Sequence, residues 1–144
     1  MPPTAQEFSH EEALSILARA DAAALKKVGE DLAPELPDLE VLHSRTGLVM
    51  LPMRDTAKGT AFHLGEVLVS EAHIRHGDHE GYGLRKGLDL EASMAMALVD
   101  IALASGTSVA MCHDFLRTAE AQHHASDTET LRRVEATRVD METF

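Results

Sequence analysis

The sequence has no tryptophan, one tyrosine (Tyr82) and one cysteine (Cys112). A lone cysteine excludes a disulfide within the chain and fits a reducing compartment. With four Phe against seven Met, the core must pack mainly through aliphatic side chains, with Met as adaptable filler. Basic residues are scarce as well. Lys plus Arg number 13 against 24 Asp plus Glu, a net charge of −11. Nucleic acids and anionic lipids are both bound largely through basic side chains, so neither is an expected partner. No apolar run approaches the roughly 20 residues of a transmembrane helix. The opening Met1-Pro-Pro-Thr-Ala-Gln-Glu7 has neither the basic start nor the apolar core of a signal peptide. A soluble, cytoplasmic protein is expected.

What is present reads as one domain, residues 1–144, with 44% hydrophobic and 26% charged residues. Ser9 and Glu12 form a capping-box pattern. Leu14, Leu17, Ala24, Leu25 and Val28 follow at helical spacing, predicting a first helix that ends before Pro34 and Pro37. Leu39 to His43 is short and alternating, and Arg45 to Gly47 reads as a turn. Leu48 to Met53 is a continuous apolar run, which predicts a buried strand with Pro52 at an edge or at the end of pairing. Asp55 to Gly59 reads as a loop. Phe62 to Arg75 is rich in β-formers, His76-Gly-Asp-His79 has turn chemistry, and Glu80 to Lys86 forms the returning arm. Gly81, Gly83 and Gly87 in that arm predict a bulge or a close backbone approach.

Asp89 should cap a second helix, apolar nearly all round to Ala104 and ended by Gly106. Such a helix must be buried, in its own domain or against a second chain. A third helix is expected over Val109 to His124, and Ser126 with Glu129 predicts the cap of a short fourth. Helix, then strands, then helices argues for α+β: an N-terminal helix, an antiparallel sheet of about four strands, and C-terminal helices packed on it.

Candidate chemistry is thin. His73, His76 and His79 are spaced by three, yet alternation along a strand turns His73 away from His76, so no metal site is expected. Gly81-Tyr-Gly83-Leu-Arg-Lys-Gly87 matches neither the dinucleotide fingerprint nor the P-loop. Arg85 and Lys86 leave only weak anion-site potential near the second helix. Cys112 and His113, adjacent on a helix, point about 100° apart and cannot form a nucleophilic dyad, so Cys112 reads as core. Glu66 and Asp100 interrupt apolar stretches, where an acid more often pairs or caps than catalyses.

The ordered series from Thr46-Gly-Leu-Val-Met50 through Gly59 and Phe62 to Gly65-Glu66 resembles the G subunit of the bacterial carbon–phosphorus lyase system, the PhnG family. Gly81-Tyr-Gly83 with Gly87 and Asp89, then Ala97-Leu98 with Asp100, continue the likeness. The tail from Glu135 through Arg138, Val139 and Asp140 completes it. The family-motif positions are thus Gly47, Gly59, Phe62, Gly65, Glu66, Gly87, Asp89, Asp100, Arg138 and Asp140. The chain departs from the family at Thr56-Ala-Lys-Gly59, and at Leu88, Leu90, Ala92 and Met94, where apolar or small residues replace charged ones. It therefore looks like a divergent member.

The resemblance implies an accessory subunit of the complex that couples a phosphonate to the ribose C1 of ATP, releasing adenine. The product is α-D-ribose 1-methylphosphonate 5-triphosphate. It assigns nucleosidase-type chemistry to the larger I subunit and later carbon–phosphorus cleavage to a radical iron–sulfur subunit. It carries over no catalytic residue, and no metal or cofactor is expected. It implies the other subunits as partners, the I-type subunit above all, while the apolar helix from Leu90 to Ala104 leaves a homodimer as a further possibility. The residues themselves agree: Arg85, Lys86 and Lys58 are too few and scattered to hold a triphosphate. Two alternatives stand beside this reading, a free-standing small metal-dependent hydrolase using the histidines and a self-associating scaffold.

Overall fold

The computed structural model describes residues 8–54 and 61–142, with side chains described over 8–50 and 65–136. The capping box at the N-terminus forms as the sequence requires: the Ser9 hydroxyl accepts from the Glu12 amide at 3.1 Å, and the Glu12 carboxylate accepts from the Ser9 amide at 3.2 Å. It opens α1 (His10–Arg19). The single helix expected to run on through Val28 is instead two. Ala20 is extended, and Asp21 takes the Ala24 amide at 3.0 Å to cap α2 (Ala22–Leu32). A second capping residue in mid-run competes with continuation of the helix, and the break gains a partner from the sheet described below. A 3-10 turn, Ala33–Glu35, holds Pro34 and closes α2.

Three long strands follow: β1 (Glu40–Arg54), β2 (Ala61–His76) and β3 (His79–Lys86), antiparallel in the order β1-β2-β3. The sheet has three strands rather than about four, because Arg45 to Gly47 is not a turn. Gly47 pairs with Val69 in mid-strand, and β1 absorbs its curvature as register shifts at Val41/His43 and Leu51/Pro52. Pro52 thus lies on an edge strand beside an irregularity, where a missing N–H costs no ladder bond. The turn at His76–His79 forms as predicted, with Gly77 at φ +61°. The loop expected over Asp55 to Gly59 falls outside the described residues.

Asp89 caps α3 (Leu90–Ser105) through the Ala92 amide at 3.1 Å, and Gly106 ends it in the left-handed conformation, φ +76°. α3 lies across β3 and β2, with α1, α2 and α4 (Val109–Glu142) packed around it. Its middle, Ala95 to Ala102, is buried within its own chain, so the all-round apolar helix has no free face there for a second copy. Gly81 and Gly83 produce the close approach rather than a bulge. A Cβ on Gly81 would sit 2.4 Å from the Ala97 carbonyl oxygen, and one on Gly83 would sit 2.0 Å from that of Ser93. Leu17, Leu25, Leu32, Ile74, Ile101 and Leu116 fill the core between the layers.

α4 is one helix, not two. Ser126 and Glu129 lie in its interior, and the Ser126 carbonyl accepts the Thr130 hydroxyl at 3.0 Å. No Gly or Pro occurs from Val109 to Glu142, so nothing stops propagation. Beyond His123 every described side chain of α4 is exposed, with Asp127 still 3.7 Å from Arg19 of α1.

Candidate functional site

Three places gather the singled-out residues. At the corner from β3 to α3, Ser70 is fully buried and acts twice: its hydroxyl donates to the Gly87 carbonyl at 2.6 Å and accepts from the Asp89 amide at 2.9 Å. Its carbonyl takes the Ser93 hydroxyl at 2.8 Å, and the Gly87 amide donates to Leu68 at 2.8 Å. Lys26 of α2 reaches the Asp89 carboxylate at 2.9 Å. The Lys26 ammonium and the Ala92 amide hold the Asp89 carboxyl below its ordinary pKa, and Asp89 in turn raises that of Lys26. Gly87 and Asp89 therefore serve to lock the helix start onto the sheet.

The second place lies toward the other end of α3. Asp100, 6% exposed, accepts from His10 Nε2 at 2.8 Å and from the Tyr82 amide at 2.9 Å. A buried acid thus ties α3 to the start of α1 and to β3, and burial raises the Tyr82 pKa. Beside this pair is a cleft of about 220 Å³, lined by Phe8, Glu80, Asp100 and His113 among others. Both carboxylate oxygens of Asp100 are engaged by the fold, the pairing role expected of it.

The third place is the β1–β2 ribbon. β3 pairs with β2 only from Val69 to His76, leaving the rest of β1 and β2 as two strands. Gly47, Gly65 and Glu66 all sit there, the first two with open space where a Cβ would be, and Glu66 exposed opposite Met50. Of the strand expected to be buried, the described part, Leu48 to Met50, lies open among the described residues: Leu48 is 62% and Met50 60% exposed, and Val49 is exposed on the opposite face. Phe62 pairs with Met53 in the ribbon's backbone. Arg138 and Asp140 lie in the last turns of α4, their side chains outside the described residues, and Gly59 and Lys58 fall outside the described residues altogether.

Arg85, which with Lys86 left only weak anion-site potential, is neither solvated nor open to an anion. Its guanidinium turns inward and donates to the carbonyls of Leu17 and, at 2.7 Å, Ala20. It caps the end of α1 at the break before α2, and burial lowers its pKa. His73 stacks on His43, with ring centroids 6.0 Å apart, and lies 3.6 Å from Glu80. Among the described residues no three His, Cys, Asp or Glu side chains are grouped as a metal site. Cys112 is buried in the core, which pushes its thiol up to about 11. No helix among the described residues is long and apolar enough to cross a membrane. Ser70, Ser93 and His10 were not legible as partners, because a buried hydroxyl in a β-rich run and a histidine after a helix cap carry no sequence signature of their own.

Comparison with known proteins follows the same lines. A family model described as phosphonate metabolism protein PhnG matches residues 9–144. A curated relative from Rhizobium meliloti (strain 1021), "Alpha-D-ribose 1-methylphosphonate 5-triphosphate synthase subunit PhnG", is 29% identical over 134 residues, 92% of this chain and 86% of the relative.

Proposed function

Because this chain belongs to the family of phosphonate metabolism protein PhnG, we propose that it is an accessory subunit of a phosphonate-processing complex of the kind its relative's name describes. In that reading residues 1–144 act as one cytoplasmic unit without turnover of their own. The complex transfers a phosphonate to the ribose of ATP with release of adenine, and the I-type subunit supplies the nucleosidase site.

The observation that carries this reading is the bare ribbon. An isolated two-stranded hairpin is marginal in water, and a long apolar edge strand invites association. Here apolar side chains stand exposed on both faces, Leu48 and Met50 on one and Val49 on the other. Two-sided apolarity is the pattern of a strand covered on both faces, and no described residue of this chain supplies the cover over Leu48 to Met50. Electrostatics agrees: a chain of net charge −11, whose Arg85 is committed to the α1 carbonyls, is poorly equipped to hold a triphosphate.

Co-expression with the I-type subunit from the same organism should give a complex that survives gel filtration, since obligate contacts bury more than about 2,000 Å². Adenine release from ATP by the isolated chain, or no binding to that subunit at micromolar concentration, would overturn the reading.

A further inference from the structure

The strand register divides the ribbon into two rows. Ser70, Ala72 and Ile74 of β2 are buried on the side that α3 covers. Their partners and successors on that side are Ser44 opposite Ala72, Thr46 opposite Ser70, Leu48 opposite Leu68, and Met50 opposite Glu66. α3 begins over Ser70, where Asp89 and Ser93 bond to it. The row from Leu68 outward therefore lies beyond the first turn of the helix, and its described apolar side chains open progressively: Leu68 is 37% exposed, Leu90 at the helix start 41% and Met50 60%. At Ser44 the same row enters an open groove of about 480 Å³ between α2 and α3, floored by Gly29, Ala95 and Leu98.

We propose that this groove and the α3-facing row of the ribbon form one docking channel for an amphipathic helix of a partner subunit, apolar on one side and flanked by Lys or Arg. From Ser44 to Met50 the row spans roughly 20 Å at the rise of a strand, the length of a helix of about 13 residues. Such a helix would cover Leu48, Met50, Leu68 and Leu90 and extend the helical layer that α3 begins. Charge selects the flanks. Glu30 and Glu91 line the groove and Glu66 stands on the row, whereas Lys26, the one ammonium among the described lining residues, is already bonded to Asp89. A second copy of this chain would bring its own charge of −11 to the same acids, which disfavours a homodimer here.

This inference rests on the subunit reading above, and one experiment separates the two. The full chain, carrying the photo-crosslinking residue p-benzoylphenylalanine at position 48, 68 or 90, is co-expressed with the I-type subunit, with position 82 on the opposite side of the sheet as control. Crosslinks from 48, 68 and 90 to one basic-flanked helical segment of the partner, and none from 82, are expected. Glu30→Lys with Glu91→Lys should weaken binding at least tenfold at low salt, and Leu48→Asp with Met50→Asp at least as much. Both pairs are exposed, so the isolated variants should keep the wild-type melting temperature. An intact complex that crosslinks only through position 82, ignores the charge reversal, or crosslinks 48 to a second copy would sink the channel and leave the subunit reading standing. Absence of any complex would sink both.

Discussion

Asp100 and Tyr82 are joined by a hydrogen bond of 2.9 Å, from the Tyr82 amide in β3 to a carboxylate buried in the middle of α3. The same carboxylate receives His10 Nε2 at 2.8 Å, so one acidic side chain pins the sheet and the first helix to the central helix. An acid in an apolar helix is costly unless its oxygens are bonded, and here both are.

Asp100→Ala should therefore cost about 1–3 kcal/mol, because it leaves the Tyr82 amide without its acceptor. Asp100→Asn retains an oxygen there and should cost less. His10→Ala, at a side chain 69% exposed, should cost less still. Urea denaturation of the three variants checks the order, and an Asp100→Ala midpoint equal to wild type would refute the tie.

Arg85 holds the two helical pieces at their junction. Arg85→Met should expose the carbonyls of Leu17 and Ala20, costing on the order of 2 kcal/mol, and Arg85→Lys should recover only part of it, since an ammonium lacks the fork that reaches both. Hydrogen exchange should rise selectively in the last turn of α1. Uniform exchange across the chain would show that the break is held by something else.

Glycines that look alike in sequence should behave oppositely. Gly83→Ala would drive a Cβ to 2.0 Å from the Ser93 carbonyl oxygen and should cost about 3 kcal/mol or more through forced separation of α3 from the sheet. Gly47→Ala meets nothing within 4 Å and should be neutral or slightly stabilising. Thermal melts of the two variants decide the matter.

The Lys26–Asp89 pair sets an acid limit. Because the folded Asp89 carboxyl lies below its ordinary pKa, its contribution is full above the unfolded carboxylate value, about 4, and is lost as pH falls through the lower folded value. Wild type should exceed Asp89→Asn in stability at pH 7, and the gap should close only in strong acid. A gap that stays constant down to pH 2 would mean that the charge is not responsible.

Cys112, with its thiol pushed up to about 11 by burial, should resist iodoacetamide at pH 8 in the folded protein and react readily in urea. Prompt labelling of the native chain would contradict its place in the core.

Much of this fold was legible because local chemistry decides it. Ser9 with Glu12, Asp89 and Gly106 are caps whose side chains or conformations act within a turn, so the starts of α1 and α3 and the end of α3 follow from sequence alone. The turn at Gly77 and the antiparallel return of β3 follow the same logic. The family series was legible too, as an ordered set rather than as any one motif. Tertiary structure decided the rest. The helix break at Ala20 depends on an arginine 65 residues away, and the run through Arg45 to Gly47 became strand because β2 supplies a continuous ladder beside it. The apolar stretch from Leu48 shows the limit most clearly. Its composition demands burial, and periodicity alone does not say by which chain, because burial is a property of what packs against a strand rather than of the strand.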